Sequence, residues 1–93
     1  MGLTRGQIVR SKAGRDKGLY LVVLAQAGDR VLVADGRRRL LSAPKAKNPA
    51  HLAPTLRVLG EEALGSDKLL STALAEYFPA SQGMEGGEQV VQR

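Results

Sequence analysis

Residues 6–24 constrain the fold of this 93-residue chain more than any other segment. They contain a short apolar stretch at 7–11, a basic loop bracketed by Gly14 and Gly18, and a denser apolar run over 19–24. Short apolar runs that contain β-branched residues and end at glycine are typical of strands. Because glycine adopts positive φ without strain, the loop can bring bare backbone and cations close to a phosphate chain. The segment therefore predicts two strands joined by a candidate anion-binding loop.

Two turns that contain glycine predict a meander of three strands. The Gly-Asp pair at 28–29 suits a type II′ hairpin that joins a strand at 20–26 to one at 30–34. The Asp-Gly pair at 35–36 is a second hairpin signal, of type I′, and leads into a strand at 37–41.

Three prolines shape the next stretch of the chain, at Pro44, Pro49 and Pro54. They disfavour a continuous helix and allow only short or edge strand pieces. A last strand over 55–59 is placed to close the sheet. The sequence therefore predicts a mainly β domain at 1–59, a small barrel of about five strands.

A helical period replaces the strand pattern after Gly65. Ser66 is a good N-cap and Asp67 suits the positive end of the helix dipole, while Pro79 should end the helix. Apolar residues recur on one face at Leu69, Leu70, Ala73, Leu74, Tyr77 and Phe78. We expect residues 60–79 to be a linker and a short amphipathic helix packed on the barrel, although such a helix can also bind a partner. Residues 80–93 have the composition of a disordered acidic tail.

Charge divides the chain into a basic body and an acidic end. Residues 1–58 hold twelve Lys and Arg against three Asp, a net charge of +9, while residues 59–93 hold two Lys and Arg against six Asp and Glu, a net charge of −4. Phosphate neutralisation is the main source of nucleic-acid affinity, so the body predicts a polyanionic partner.

Several other classes of protein are disfavoured by composition. There is no cysteine and one histidine, His51, so neither a disulfide framework nor a zinc site is expected, and no metal or other cofactor is indicated. No convergent set of catalytic side chains appears, so we expect no enzymatic activity. The N-terminus lacks the apolar core of a signal peptide and no apolar run is long enough to cross a bilayer, which predicts a cytoplasmic protein.

The basic loop does not match a nucleotide-binding P-loop. A P-loop has a longer span between its glycines and a Lys-Ser or Lys-Thr pair that opens a helix, whereas strand formers follow Gly18. The two alternatives left are a plain turn with solvated cations and a loop that binds phosphate.

Further candidate contacts come from the rest of the basic half. Arg37, Arg38 and Arg39 follow the second turn, and on a strand Arg37 and Arg39 would share a face opposite Arg38. Lys45 and Lys47 continue the basic run. His51 is either a solvated or locally capping residue or a contact to base or phosphate. Only three aromatic residues are present, so recognition by stacking platforms is disfavoured.

The segment 6–23 resembles the KOW motif of ribosomal proteins and transcription elongation factors. Matching features are the strand that ends at Val9, the hallmark glycine Gly14, Lys17 before Gly18, and the apolar residues 21–23. With the stretch 31–36, Lys47-Asn48, His51-Leu52 and a closing helix, residues 3–78 resemble bacterial KOW-domain RNA-binding proteins that are similar to archaeal and eukaryotic large-subunit ribosomal proteins.

That resemblance implies an SH3-like barrel that binds RNA, ribosomal RNA or the ribosome in particular, through the KOW loop. The implied contacts are Lys12, Arg15 and Lys17, with Gly14 included for the shape of the backbone. The contacts at Arg37–Arg39, Lys45 and Lys47 depend on the charge argument, and His51 is included as a contact to base or phosphate. The resulting hypothesis is a non-enzymatic RNA-binding module that grips structured RNA by its backbone. The alternative is a protein-interaction adaptor of the transcription or translation machinery, with the helix or the tail as its docking element.

Overall fold

The computed structural model describes residues 2–85, with side chains described up to residue 77. Its elements in chain order are β1 (Gln7–Ser11), β2 (Tyr20–Ala27), β3 (Arg30–Ala34), β4 (Lys45–Lys47), a 3₁₀ turn (Pro49–His51), β5 (Leu52–Val58), a second 3₁₀ turn (Glu61–Leu64) and α1 (Asp67–Glu85). The predicted mainly β fold with five strands and one helix is confirmed.

The five strands form one antiparallel sheet in the order β4-β3-β2-β1-β5. The sheet coils on itself as a small SH3-like barrel, because the edge strand β4 carries Lys47 back to the loop that follows β1. Within the described pairings, β4 and β5 remain the two edges, so the barrel is open between them. Pro54 lies in β5, at an edge, where a residue without an N–H group is tolerated.

The first predicted hairpin is confirmed and the second is wrong. Gln26 pairs with Val31 and Ala27 with Arg30 around a tight turn, as the Gly-Asp pair indicates. Residues 37–41 are not a strand, because the Oδ1 atom of Asp35 accepts hydrogen bonds from the backbone amides of residues 37, 38 and 39, each at 2.9 Å. Those bonds fold the chain into a compact turn, and the fourth strand starts only at Lys45.

Two apolar clusters bury both faces of the sheet. The barrel interior contains residues from β1, β2, β3 and β5, namely Val9, Leu21, Val23, Val31, Val33 and Leu52. On the other face, sheet residues pack against the second 3₁₀ turn and α1, with Ile8, Val22, Leu24, Ala34, Leu64, Leu70 and Leu74 buried. The helix is therefore part of the core of the domain.

The helix α1 begins where the sequence predicts and extends beyond its predicted end at Pro79. The Oγ atom of Ser66 accepts from the amide of Leu69 at 3.1 Å, which is an N-cap bond. The backbone stays helical to Glu85, so the predicted end at Pro79 is wrong. A proline removes only one intrahelical donor, and most of the residues that follow Pro79 are acceptable in a helix. Residues 80–85, assigned to the acidic tail, belong to α1, and residues 86–93 lie outside the described part of the chain.

Gly36 should tolerate substitution poorly. Its φ is +81°, and an added Cβ would collide with the carbonyl oxygen of Asp67 at the start of α1. We expect Gly36→Ala to lower the free energy of unfolding by about 2 to 3 kcal/mol, since strain and a backbone clash add. Gly28→Ala, at φ +63° with open space around it, should cost only about 1 kcal/mol. Urea denaturation compares the two, and equal losses would contradict the clash.

No helix in the described residues has both the length and the apolar character required to cross a bilayer.

Candidate nucleic-acid interface

The basic loop, residues 12–19, is held at its base by short backbone hydrogen bonds. The amide of Ser11 donates to the carbonyl of Leu19 at 2.9 Å, and the amide of Gly18 donates to the carbonyl of Ser11 at 2.8 Å. Gly14 and Gly18 have φ values of +83° and +89°, a conformation that L side chains rarely adopt. The loop is thus a defined turn, and its glycines serve its shape.

Asp16, the only acidic residue of this loop, is turned inward against Lys47. The Nζ atom of Lys47 donates to Asp16 Oδ1 at 2.9 Å, to the carbonyl oxygen of Ala13 at 2.9 Å and to Ser11 Oγ at 3.0 Å. All three protons of the ammonium group are therefore bonded. Ser11 is 0%, Asp16 3% and Lys47 6% exposed, so this is a buried ion pair that ties β4 to the loop.

The environment of Asp16 keeps its carboxyl ionised. Burial by itself raises the pKa of Asp16, but hydrogen bonds from Lys47 and Ser11, together with the positive charge of Lys47, outweigh burial and lower that pKa. The carboxylate of Asp16 is therefore ionised at neutral pH, and its charge is directed at Lys47 and away from the surface.

With Asp16 neutralised inside, the surface of the basic loop carries one sign of charge. Lys12, Arg15 and Lys17 are exposed, and so is Arg10, the last exposed residue of β1 before the loop. None of these four side chains forms an ion pair with a residue in the described part of the chain. Their cations are consequently available to an external anion.

A second basic segment, the loop 35–44, leaves the same end of the sheet. Val22 pairs with Ala34, so the residues just before β2 run beside those just after β3. Arg37 and Arg38 are exposed there, whereas Arg39 and Lys45 are half-buried. Because Asp35 is occupied with the backbone amides of the turn, the exposed Arg37 and Arg38 form no ion pair with a described residue.

Lys47 differs from the other predicted RNA contacts because its side chain is buried. Its ammonium group is buried and saturated with internal partners, so a direct RNA contact by Lys47 conflicts with its position, and we omit it from the interface. The predicted alternation of Arg37 and Arg39 on a strand also fails, because those residues lie in a turn.

His51 lies beside the basic loop. It ends the first 3₁₀ turn, its side chain is exposed, and its carbonyl oxygen accepts from the amide of Lys12 at 2.8 Å. The local cap of that turn is Asn48, whose side chain accepts from the amide of Ala50, so the imidazole is not the capping group.

Sequence reasoning missed two parts of this site. The charge pattern of the sequence includes Arg10 without locating it, and the structure places its exposed side chain near the end of β1, beside Gly18. The pairing of Asp16 with Lys47 spans 31 residues and had no local signal in the sequence.

Neither a family model nor a curated protein matches this chain.

Proposed function

We propose that this chain is a cytoplasmic, non-enzymatic RNA-binding protein that holds structured RNA, ribosomal RNA in particular, by its phosphate backbone. The observation that supports this most is the one-signed surface of the basic loop. Four exposed cations surround an acid that is neutralised internally.

The arrangement favours backbone contacts over base reading for most of the interface. Arg10, Lys12, Arg15 and Lys17 form one group, and Arg37 and Arg38 form a second group at the same end of the sheet. Arginine and lysine on a rigid turn neutralise phosphates and release counterions, which gives affinity without dependence on sequence. The KOW-like pattern around Gly14 supports RNA as the source of those phosphates.

Arg15→Ala combined with Lys17→Ala should weaken binding to a structured ribosomal RNA fragment about tenfold. The slope of log affinity against log salt should also fall by about 1.5 to 2, since each lost phosphate contact removes somewhat less than one released counterion. Filter binding at several salt concentrations measures both quantities.

The matched control is Arg30→Ala combined with Arg57→Ala. Both residues are exposed and lie at the opposite end of the sheet, so the control removes the same charge from a different place. It should change the affinity and the slope much less. An unchanged slope in the loop variant, or equal effects in both variants, would contradict the proposed interface.

The adaptor alternative has one observation in its favour, an exposed apolar edge on β5. Leu56 is fully exposed and Val58 is 51% exposed. However, Pro54 lies in the same strand and offers no N–H group to a partner strand. Addition of a partner strand is disfavoured there, and RNA binding remains the better-supported proposal.

A further inference from the structure

A groove of about 220 Å³ opens between the end of the basic loop, the loop 35–44 and α1. It lies at the end of the sheet that carries the exposed cations. Its lining combines apolar groups with three polar side chains, in the set Leu19, Tyr20, Asp35, Arg37, Ser71, Leu74 and Ala75.

The size of the groove limits its occupant. Its volume lies below the roughly 300 Å³ at which pockets for drug-sized ligands begin. It therefore suits one planar ring system better than a peptide segment. The ring of Tyr20 gives it an aromatic wall, fixed by an edge-to-face contact with Tyr77 at a centroid distance of 5.4 Å.

The polar side chains define the chemistry of that ring. Asp35 is an acceptor-only group, and its Oδ1 atom already accepts from the turn amides, which leaves Oδ2 for a ligand donor. The hydroxyl of Ser71 donates to the carbonyl of Lys68 at 3.1 Å, so its lone pairs also act as acceptors. Arg37 adds a cation at the rim. The groove is therefore complementary to a flat group that carries N–H donors and is attached to a phosphate.

We infer that this groove takes one unstacked, amino-bearing nucleobase, with its N–H groups toward Asp35 and its phosphate toward Arg37. The inference rests on the proposed RNA-binding function and adds a point of base selectivity to it. Guanine, adenine and cytosine present exocyclic amino donors. The single ring N–H of uracil lies between two carbonyl oxygens, which a carboxylate repels.

The test uses RNA hairpins that differ only in one unpaired nucleotide, with dissociation constants measured for the full chain. Hairpins with guanine, adenine or cytosine at that position should bind about tenfold more tightly than the uracil hairpin. Asp35→Asn keeps an acceptor for the turn amides but replaces Oδ2 by an amide donor. It should abolish this preference or reverse it in favour of uracil.

Ala75→Leu provides a second variant that leaves the turn untouched. Ala75 is exposed on α1 and lines the groove, so a larger side chain there should fill it and remove the base preference while the salt slope stays unchanged. Thr72→Leu, exposed on the outer face of the same helix, is the matched control and should keep the preference.

Equal binding of all four hairpins, or a preference that survives both Asp35→Asn and Ala75→Leu, would overturn the inference. If binding without base preference still depends on Arg15 and Lys17, only the inference fails. If the RNA does not bind or its binding ignores the basic loop, the proposed function fails as well.

Discussion

Lys47→Met should lower the free energy of unfolding by about 3 to 5 kcal/mol at pH 7. The substitution keeps most of the apolar stem but leaves the buried carboxylate of Asp16 without its cation. It also removes donors to Ser11 Oγ and the carbonyl of Ala13, both of which Lys47 contacts at 3.0 Å or less. Breaking a buried pair from one side is costly because the remaining charge cannot reach water. Urea denaturation followed by circular dichroism measures the loss.

Lys45→Met is the matched control, since Lys45 lies two residues away on β4 and is only half-buried. Its ammonium group forms no ion pair with a described residue, so the loss should stay below about 1 kcal/mol. A Lys47→Met variant as stable as this control would show that the buried pair does not hold the loop.

Acid should narrow the difference between Lys47→Met and the wild-type protein. In the wild type the pKa of Asp16 is lowered, because the hydrogen bonds and charge of its partners outweigh burial. Stability from such a group is full above the unfolded-state pKa, about 3.9, and is lost as the pH falls through the lower folded-state pKa. In the Lys47→Met variant the carboxylate of Asp16 is buried without its cation, so protonation of Asp16 removes an unpaired buried charge as the pH falls. Denaturation curves at pH 7 and pH 4 should therefore show a smaller gap at pH 4.

Leu70→Ala should lower the free energy of unfolding by about 2 to 5 kcal/mol. Leu70 is 0% exposed and packs against the sheet with Ile8 and Val22, so truncation leaves a cavity between the helix and the sheet. The prediction tests whether α1 is an integral part of the domain. Thermal and urea unfolding should both show one cooperative transition that shifts as a whole.

Leu69→Ala changes the neighbouring residue on the outer face of the same helix. Leu69 is 53% exposed, and its truncation should cost less than about 1 kcal/mol. Equal losses for the two leucines, or a helix that melts separately from the sheet, would contradict the packing of α1 on the barrel.

Local chemistry explains which elements were predictable. The strands at 7–11 and 30–34, the turn at 28–29 and the start of the helix each depend on neighbouring residues, so their signals are present in the sequence. The strand expected at 37–41 failed because one carboxylate, that of Asp35, binds three consecutive amides and stabilises a different turn. An Asp-Gly pair supports either outcome, and in the structure Gly36 lies against the backbone of Asp67 at the start of α1.

In the candidate site, too, features that depend on neighbouring residues were predictable, and features that depend on tertiary contacts were not. Charge counting located the basic half, and Lys12, Arg15 and Lys17 are exposed in the structure as that interpretation requires. It could not distinguish Lys47 from these residues, because whether a lysine is buried depends on a partner 31 residues away. The groove beside Arg37 could not be predicted from the sequence either, since its lining comes from three segments that are distant along the chain.

The sequence by itself determined the strands β1, β2 and β3, the position of the glycine-bracketed basic loop and the charge of the body, because these follow from side-chain type and short-range spacing. Only the tertiary structure decided which charges reach the surface. Coiling the sheet brings β4 against the loop after β1, so Asp16 and Lys47 neutralise each other inside, and the remaining cations of that loop face solvent.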